Sequence, residues 1–255
     1  MEYHLTRPQE LVAQRRKLPV AYLGLGILEW HGKHNPLGLD GVKAHAVGKY
    51  MSEKVGGVAM PPLFWGEHRS EIAEIEFDPK ISTWLPEGLG DHTSQIADYM
   101  GLSRQKLSDE GNRCAAAGGW RLWKELVQHI FFEIESLGFK MIMPYPGHYP
   151  LIGPLHEAVD SYKANGGTCK VFILMDQLVH SGDHAAKLET SMLMALTPDL
   201  VDLSRLDPAD KFHLGVMGED PLKNASAQFG REILDALEKI VREQVKDLHT
   251  KDLHT

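Results

Sequence analysis

Residues 19–40 of this 255-residue chain read PVAYLGLGILEWHGKHNPLGLD, and this stretch decides the fold. Its first ten residues form a mostly apolar run punctuated by glycines, which is typical of a β-strand buried on both faces. A polar loop follows the run, and residues 41–55 then show helical spacing. The stretch therefore predicts a buried strand that leads through a loop into a helix.

The same alternation continues along the rest of the chain. Further strands are predicted at residues 57–63, 139–143 and 170–175, and helices at residues 120–137, 150–164, 185–196 and 224–245. In the helix at residues 41–55, the expected inner face consists of Val42, Ala46, Tyr50 and Val55. Strands and helices that alternate at this spacing predict an α/β fold, a three-layer α/β/α sandwich with a mainly parallel central sheet.

Residues 66–112 do not follow this alternation. They mix acidic residues with prolines and glycines, and we interpret them as a lid or a subunit contact. The chain length predicts a single domain over residues 1–255, with a frayed tail at residues 246–255, where the unit KDLHT occurs twice.

Composition and charge exclude several functional classes. The formal net charge of −8 and the lack of a basic stripe argue against a nucleic-acid partner. No apolar stretch approaches the roughly 20 residues of a membrane helix, and the first 20 residues lack the apolar core of a signal peptide, so a cytoplasmic location is expected. Cys114 and Cys169 form no CxxC pair, which argues against a thiolate zinc site.

The densest group of chemically active residues follows the first strand. Glu29 and His31 stand two positions apart in a segment expected to be extended, so their side chains point the same way. Asp40, at the start of the next helix, can bring a second carboxylate to the same point. Two carboxylates and an imidazole suit zinc, manganese or iron better than calcium. Taken singly, Asp40 could instead cap its helix and His31 could be a hydrogen-bonded loop residue.

These residues carry a resemblance to a known family. The segment from Leu23 to Val47 resembles the creatininase (creatinine amidohydrolase) signature, Pro-x-Gly-x-x-Glu-Gln-His-Gly-x-His-Leu-Pro-x-x-x-Asp, and the matching residues are Glu29, His31, Gly32, His34, Pro36 and Asp40. The resemblance implies a creatininase-like fold in which Asp40 bridges two metal ions, Glu29 binds one and His31 the other. It also implies a homo-oligomer, often a hexamer.

Later segments keep the order of the family's motifs. Gly147-His148-Tyr149 resembles its Asn-Gly-His loop, which implies that His148 binds metal, although a plain turn would fit the residues alone. The segment DHAAKLETS at residues 183–191 resembles its His-Ala-Gly-x-x-Glu-Thr-Ser motif. The resemblance implies His184 as the acid/base or substrate-binding histidine and Glu189 as a metal ligand or base. Without it, Asp183 would be a helix cap and Glu189 a solvated residue.

Other positions are expected near the substrate, and some depart from the family's pattern. The expected substrate residues are Tyr149, Asp183 and His68, the last because Glu67-His68 resembles a Glu-His pair of the family. Trp30 stands in place of Gln, and Pro146 in place of Asn. Pro150 stands where creatininases proper have a Glu that completes the second metal site, so creatinine itself is a poor candidate substrate.

The resulting hypothesis is a metal-dependent amidohydrolase that cleaves a C–N bond in a small cyclic or formyl-type amide. A metal-activated water would attack, with two divalent ions per chain (zinc, manganese or iron) and His184 or Glu189 moving the proton. The alternative is a catalytically degenerate member of the same family that binds a metal or a small molecule. Pro146 and Pro150 motivate it, because they stiffen a loop that has to position ligands.

Overall fold

The central sheet has four parallel strands in the order β2-β1-β3-β4, in a computed structural model that describes residues 1–248. The strands are β1 (Val20–Leu25), β2 (Val58–Ala59), β3 (Met141–Pro146) and β4 (Lys170–Val171). The helices are α1 (Pro8–Lys17), α2 (Leu39–Lys54), α3 (Ala73–Glu76), α4 (His92–Met100), α5 (Arg104–Ala116), α6 (Arg121–Ser136), α7 (Ile152–Ala164), α8 (Lys187–Leu196), α9 (Pro221–Asn224) and α10 (Ala227–Val245).

Helices cover both faces of the sheet. Successive side chains along a strand point to opposite faces, so those of β1 pack in two different cores. Ala21, Leu23 and Leu25 of β1 pack in one core with α6 and α7. Val20 and Tyr22 pack in a second core with α2, α8 and α10. The predicted α/β/α sandwich is confirmed.

The strands differ in length from the predicted ones for reasons that lie in the prolines. β2 has two residues because Pro61 and Pro62 follow it closely. Residues 172–174 still donate from Phe172 N to Ile142 O and from Leu174 N to Pro144 O, both at 3.0 Å. Pro144 has no N–H to return, so the ladder beside β4 is one-sided and the regular strand ends at Val171.

The parallel register brings the carboxyl ends of the strands to one edge. Leu25 is paired with Pro146, so the residues after β1 and those after β3 leave the sheet side by side. In open α/β sheets this is the edge at which ligands bind.

The remaining features of the fold concern membrane-spanning helices, the C-terminal tail and the number of domains. Within residues 1–248, no helix has both the length and the apolar character needed to cross a membrane. Lys246–Leu248, the first part of the predicted frayed tail, forms a 3-10 turn, and residues 249–255 lie outside the described residues. The single domain over residues 1–255 stays a prediction.

Candidate metal centre and active-site cavity

Two glycines allow helix α2 to reach the ends of β1 and β3. A Cβ atom at Gly147 would lie 2.1 Å from the carbonyl oxygen of Asp40, and one at Gly26 would lie 2.1 Å from the amide nitrogen of Gly41. Any side chain at either position would push the helix away from the sheet. The close approach places Asp40, in the first turn of α2, beside the residues that follow the two strands.

Asp40 is not the cap of its helix. Gly38 occupies the N-cap position, and the Asp40 side chain is 1 % exposed. Its Oδ1 lies 3.0 Å from His31 Nε2, and its Oδ2 lies 3.4 Å from His148 Nδ1. The two oxygens of one carboxylate therefore face two different histidines.

Glu29 and Glu189 complete the two sides of this arrangement. Glu29 Oε1 lies 2.9 Å from His148 Nδ1 and 3.5 Å from His31 Nε2, while Glu29 Oε2 accepts a hydrogen bond from Ala73 N. Glu189 Oε2 lies 3.8 Å from His31 Nε2. Glu189 is 2 % exposed, so it is not a solvated residue.

Two sets of three side chains could each hold a metal ion, and Asp40 belongs to both. The first set is Glu29, Asp40 and His148, and the second is His31, Asp40 and Glu189. Within each set the candidate ligand atoms lie within 4.8 Å of one another. A third set, Glu29, His31 and His184, overlaps both.

The hydrogen bonds of the two histidines fit metal ligation. His31 Nδ1 donates to the carbonyl oxygen of Glu29 at 3.2 Å, and His148 Nε2 donates to the carbonyl oxygen of Glu71 at 3.1 Å. Metal-binding histidines typically direct their second ring N–H to a carbonyl or carboxylate in this way. Among the described residues, neither His31 Nε2 nor Asp40 Oδ2 has a partner at hydrogen-bond geometry. These buried atoms are available to an ion.

The ionisation of the cluster follows from its buried charges. Burial by itself lowers a histidine pKa, but the neighbouring carboxylates outweigh it. Asp40, Glu29 and Glu189 raise the pKa of His31 to about 9, and Glu29 and Asp40 raise that of His148 to about 10. Burial works against ionisation of Glu29 and Asp40 as well, yet the histidines hold both carboxyl pKa values below their usual range.

His184 is held in the tautomer that leaves one nitrogen free. Its Nε2 donates to the carbonyl oxygen of Trp30 at 2.9 Å, so in the neutral ring Nδ1 carries the lone pair, 3.7 Å from Glu29 Oε1. Its ring stacks on that of His31 with centroids 4.6 Å apart. Burial lowers the pKa of His184, so the ring is neutral near pH 7 and can accept a proton at Nδ1.

Asp183 and Ala185 shape the turn that precedes α8. The Asp183 carboxylate accepts from the amides of Leu188 and Glu189, so it caps the helix from three residues before the N-cap, Ala186. Burial, followed by the nearby Glu189, raises the pKa of Asp183 to about 7. Ala185 has a φ of 54°, in the left-handed region, and its amide donates to Glu189 Oε2 at 2.8 Å.

A cavity of about 600 Å³ opens in front of the cluster. Its lining includes the cluster residues Glu29, Asp40, His148, His184 and Glu189, the substrate candidates Tyr149 and Asp183, and also Glu71, Glu76, Phe77, Trp84 and Pro150. The Tyr149 hydroxyl donates to Asp176 Oδ2 at 3.4 Å. His68 is not among the lining residues, because its ring packs near Trp120 with centroids 6.1 Å apart.

Sequence reasoning missed several residues of the site. Phe77 and Trp84 come from the segment that has no clear periodicity, so no pattern indicated that they form a wall of the cavity. Lys43, which is fully buried against Glu189, was not among the residues expected on the inner face of α2, although it lies three residues after Asp40 and therefore on the same helix face. That spacing is the signal that could have identified it.

Comparisons with known proteins agree with this architecture. Residues 120–245 match the family model described as creatinine amidohydrolase. The chain is 25% identical over 209 residues to the creatinine amidohydrolase of Pseudomonas putida, covering 73% of this chain and 68% of that protein. Over these residues the chain is similar to the creatininase family.

Solved creatininase structures share the fold over nearly the full length. A mutant creatininase of the zinc–zinc type superposes with a TM-score of 0.60 at 21% identity, covering 97% of this chain and 98% of that one. A manganese form of creatininase gives a TM-score of 0.61 at 21% identity with the same coverage. At this identity the likeness establishes the fold, and the chemistry has to be argued from the residues of this chain.

Proposed function

We propose that this protein is a metal-dependent amidohydrolase of the creatininase family that cleaves a C–N bond of a small cyclic or formyl-type amide. The observation that carries the proposal is the sharing of Asp40 between two sets of three ligands, at the floor of the cavity. Catalytic zinc sites usually have three protein ligands and keep a further position open for water or substrate. Both sets fit that pattern, and the zinc and manganese forms of related proteins suggest these metals.

The residues of the chain divide the work of hydrolysis. Divalent ions held by these residues would lower the pKa of a coordinated water towards neutrality and would polarise a carbonyl. His184 accepts a proton at Nδ1 and returns it to the leaving nitrogen, since its other ring nitrogen is committed to Trp30. Phe77, whose ring centroid lies 5.6 Å from that of His184, restricts water on this side of the cavity.

The charge of the cavity restricts the substrate. Six of the lining residues are carboxylic acids, and none of the lining residues is Lys or Arg. Two divalent ions would offset the acids of the cluster, but Glu76, beside the aromatic wall formed by Phe77 and Trp84, lies outside both sets of ligands. A ligand with its own carboxylate or phosphate would be repelled. We therefore expect a neutral or cationic amide.

A metal titration together with an amide panel tests this function. Wild-type protein reconstituted with Zn²⁺ or Mn²⁺ is expected to bind two ions and to hydrolyse neutral or cationic lactams or formamides in preference to matched carboxylated ones. Asp40→Ala removes a ligand from both sets, so metal content is expected to fall to near zero and turnover to be abolished. Normal metal content in this variant would refute the assignment of Asp40. Two bound ions without turnover on any amide would favour the degenerate binding protein.

A further inference from the structure

Lys43 is a buried cation that the proposed chemistry does not use. Its side chain is fully buried, and its Nζ lies 2.5 Å from Glu189 Oε1 and 3.5 Å from Asp176 Oδ2. The ring of Tyr149 covers the same ammonium group, with its centroid 5.7 Å from Nζ. Burying an ammonium group is costly unless it is paired, so these contacts have to be present together.

Lys43 does not face the substrate space. It is not one of the residues that line the cavity, whereas Glu189, to which it is bonded, does line it. A role as a nucleophile or a proton donor to substrate is therefore excluded by its position. Any effect of Lys43 on the reaction has to pass through Glu189 or Asp176.

The two oxygens of Glu189 have separate partners. Oε1 is held by Lys43, while Oε2 accepts from the amide of Ala185 and faces His31 Nε2 at 3.8 Å. Lys43 thus fixes one oxygen of the carboxylate, and the other oxygen is directed towards His31 and Asp40. Without Lys43, neither the rotation nor the position of Glu189 Oε1 would be fixed by a side chain in the described part of the molecule.

We propose that Lys43 is a positioning residue. It holds Glu189 so that only one carboxylate oxygen can bind a metal ion, and it thereby determines the affinity for an ion at His31, Asp40 and Glu189. The inference rests on the proposed metal site. It is specific to one set, because the other set, Glu29, Asp40 and His148, has no contact with Lys43. Residues behind metal ligands commonly change metal affinity by about 10- to 100-fold when mutated.

The test compares K43M with K49M, which removes a half-exposed lysine of the same helix that is paired with Glu2 at the surface. Metal-free proteins are titrated with Mn²⁺ at one pH, and bound metal is measured by elemental analysis after dialysis. Wild type and K49M are expected to bind two ions. K43M is expected to keep one ion at the wild-type affinity and to bind the second about 10- to 100-fold more weakly. E189Q is expected to behave like K43M.

The outcomes separate this inference from the proposed function. Two ions at wild-type affinities in K43M would overturn the role of Lys43 and leave the metal site standing. Equal weakening of both ions in a folded K43M would overturn it as well, because the effect would not be specific to Glu189. If wild type binds no metal, the proposed function itself fails. Should K43M fail to fold, K43Q replaces it, with the same separation of the two affinities expected.

Discussion

At the scale of single residues, His31 and His148 link the protonation of the cluster to the stability of the metal-free protein. Their folded pKa values of about 9 and about 10 lie above the ordinary value near 6.5. Each therefore contributes stability that is fully present below about pH 6.5 and is lost as the pH rises through the folded pKa. The hydrogen bond from His148 to Glu29 and the charge of His31 beside Asp40 stabilise the cluster when no ion does so.

We therefore expect the free energy of unfolding of the chelator-treated protein to fall between pH 7.5 and 10, by on the order of 3 kcal/mol. Metal should remove most of this fall, because an ion binds the deprotonated imidazoles that high pH produces. Urea unfolding at several pH values, with and without Zn²⁺, measures both curves. Parallel curves in the two states would contradict the assignment of these histidines to the metal.

The residues around Asp40 show what the sequence could and could not predict. Glu29, His31, Asp40, His148 and Glu189 were placed together by a resemblance to a family motif, and the structure brings all five together. The expected inner face of α2 was wrong, because Val42, Ala46 and Tyr50 are only half-buried while Lys43, Ala44, Val47 and Met51 are buried. Hydrophobic spacing could not identify a face whose first turn buries Asp40 and Lys43.

At the scale of elements, the contact between α2 and the end of β3 determines whether the cluster can assemble. Gly147→Ala would place a methyl group 2.1 Å from the carbonyl oxygen of Asp40, a backbone atom that cannot move independently of the helix. We expect a loss of stability of about 1–3 kcal/mol or more, together with weaker metal binding, because Asp40 moves away from His148. Denaturant unfolding and metal titration measure the two effects.

Gly153→Ala is the matched control, since a Cβ at Gly153, in the first turn of α7, meets no atom within 4 Å. It is expected to leave stability unchanged or to raise it by up to about 1 kcal/mol, because alanine favours helix more than glycine does. Equal effects of the two substitutions would show that α2 tolerates displacement.

Strand lengths were harder to predict than strand order. The run at residues 139–143 predicted a strand that stops before Pro144, since proline is rare in central strands, yet β3 continues to Pro146. Its pairing with β1 extends through Pro144 and Pro146, while the pairing with β4 is the one that loses a donor. Sequence spacing shows that a proline interrupts a ladder, but not which neighbour loses the bond.

At the scale of the whole molecule, residues 66–119, here called the cover, contribute Phe77 and Trp84 to the wall of the cavity. Most of the buried side chains of the cover pack in a cluster separate from both main cores, although Ile72 belongs to the core of α6 and α7. Phe77, Leu89 and Ile96 belong to the same cluster as Trp30, whose indole N–H donates to the carbonyl oxygen of Leu214 at 2.8 Å. Trp30 is the residue that departs from the usual Gln of the family signature, and here it supports this cover. The lid, the subunit contact, the homo-oligomer and the cytoplasmic location stay predictions.

This separate packing predicts uneven stability across the molecule. Helix α5 buries only Gly111, so its unfolding exposes little apolar surface, whereas β1 is buried along its full length. Hydrogen exchange followed by mass spectrometry is expected to show fast exchange in α5 and slow exchange in β1 and β3. Metal should slow exchange most near Ala73, whose amide donates to Glu29 Oε2, because ligation would fix that carboxylate. Exchange in α5 as slow as in β1 would show that the cover unfolds only with the sandwich and does not open separately to admit substrate.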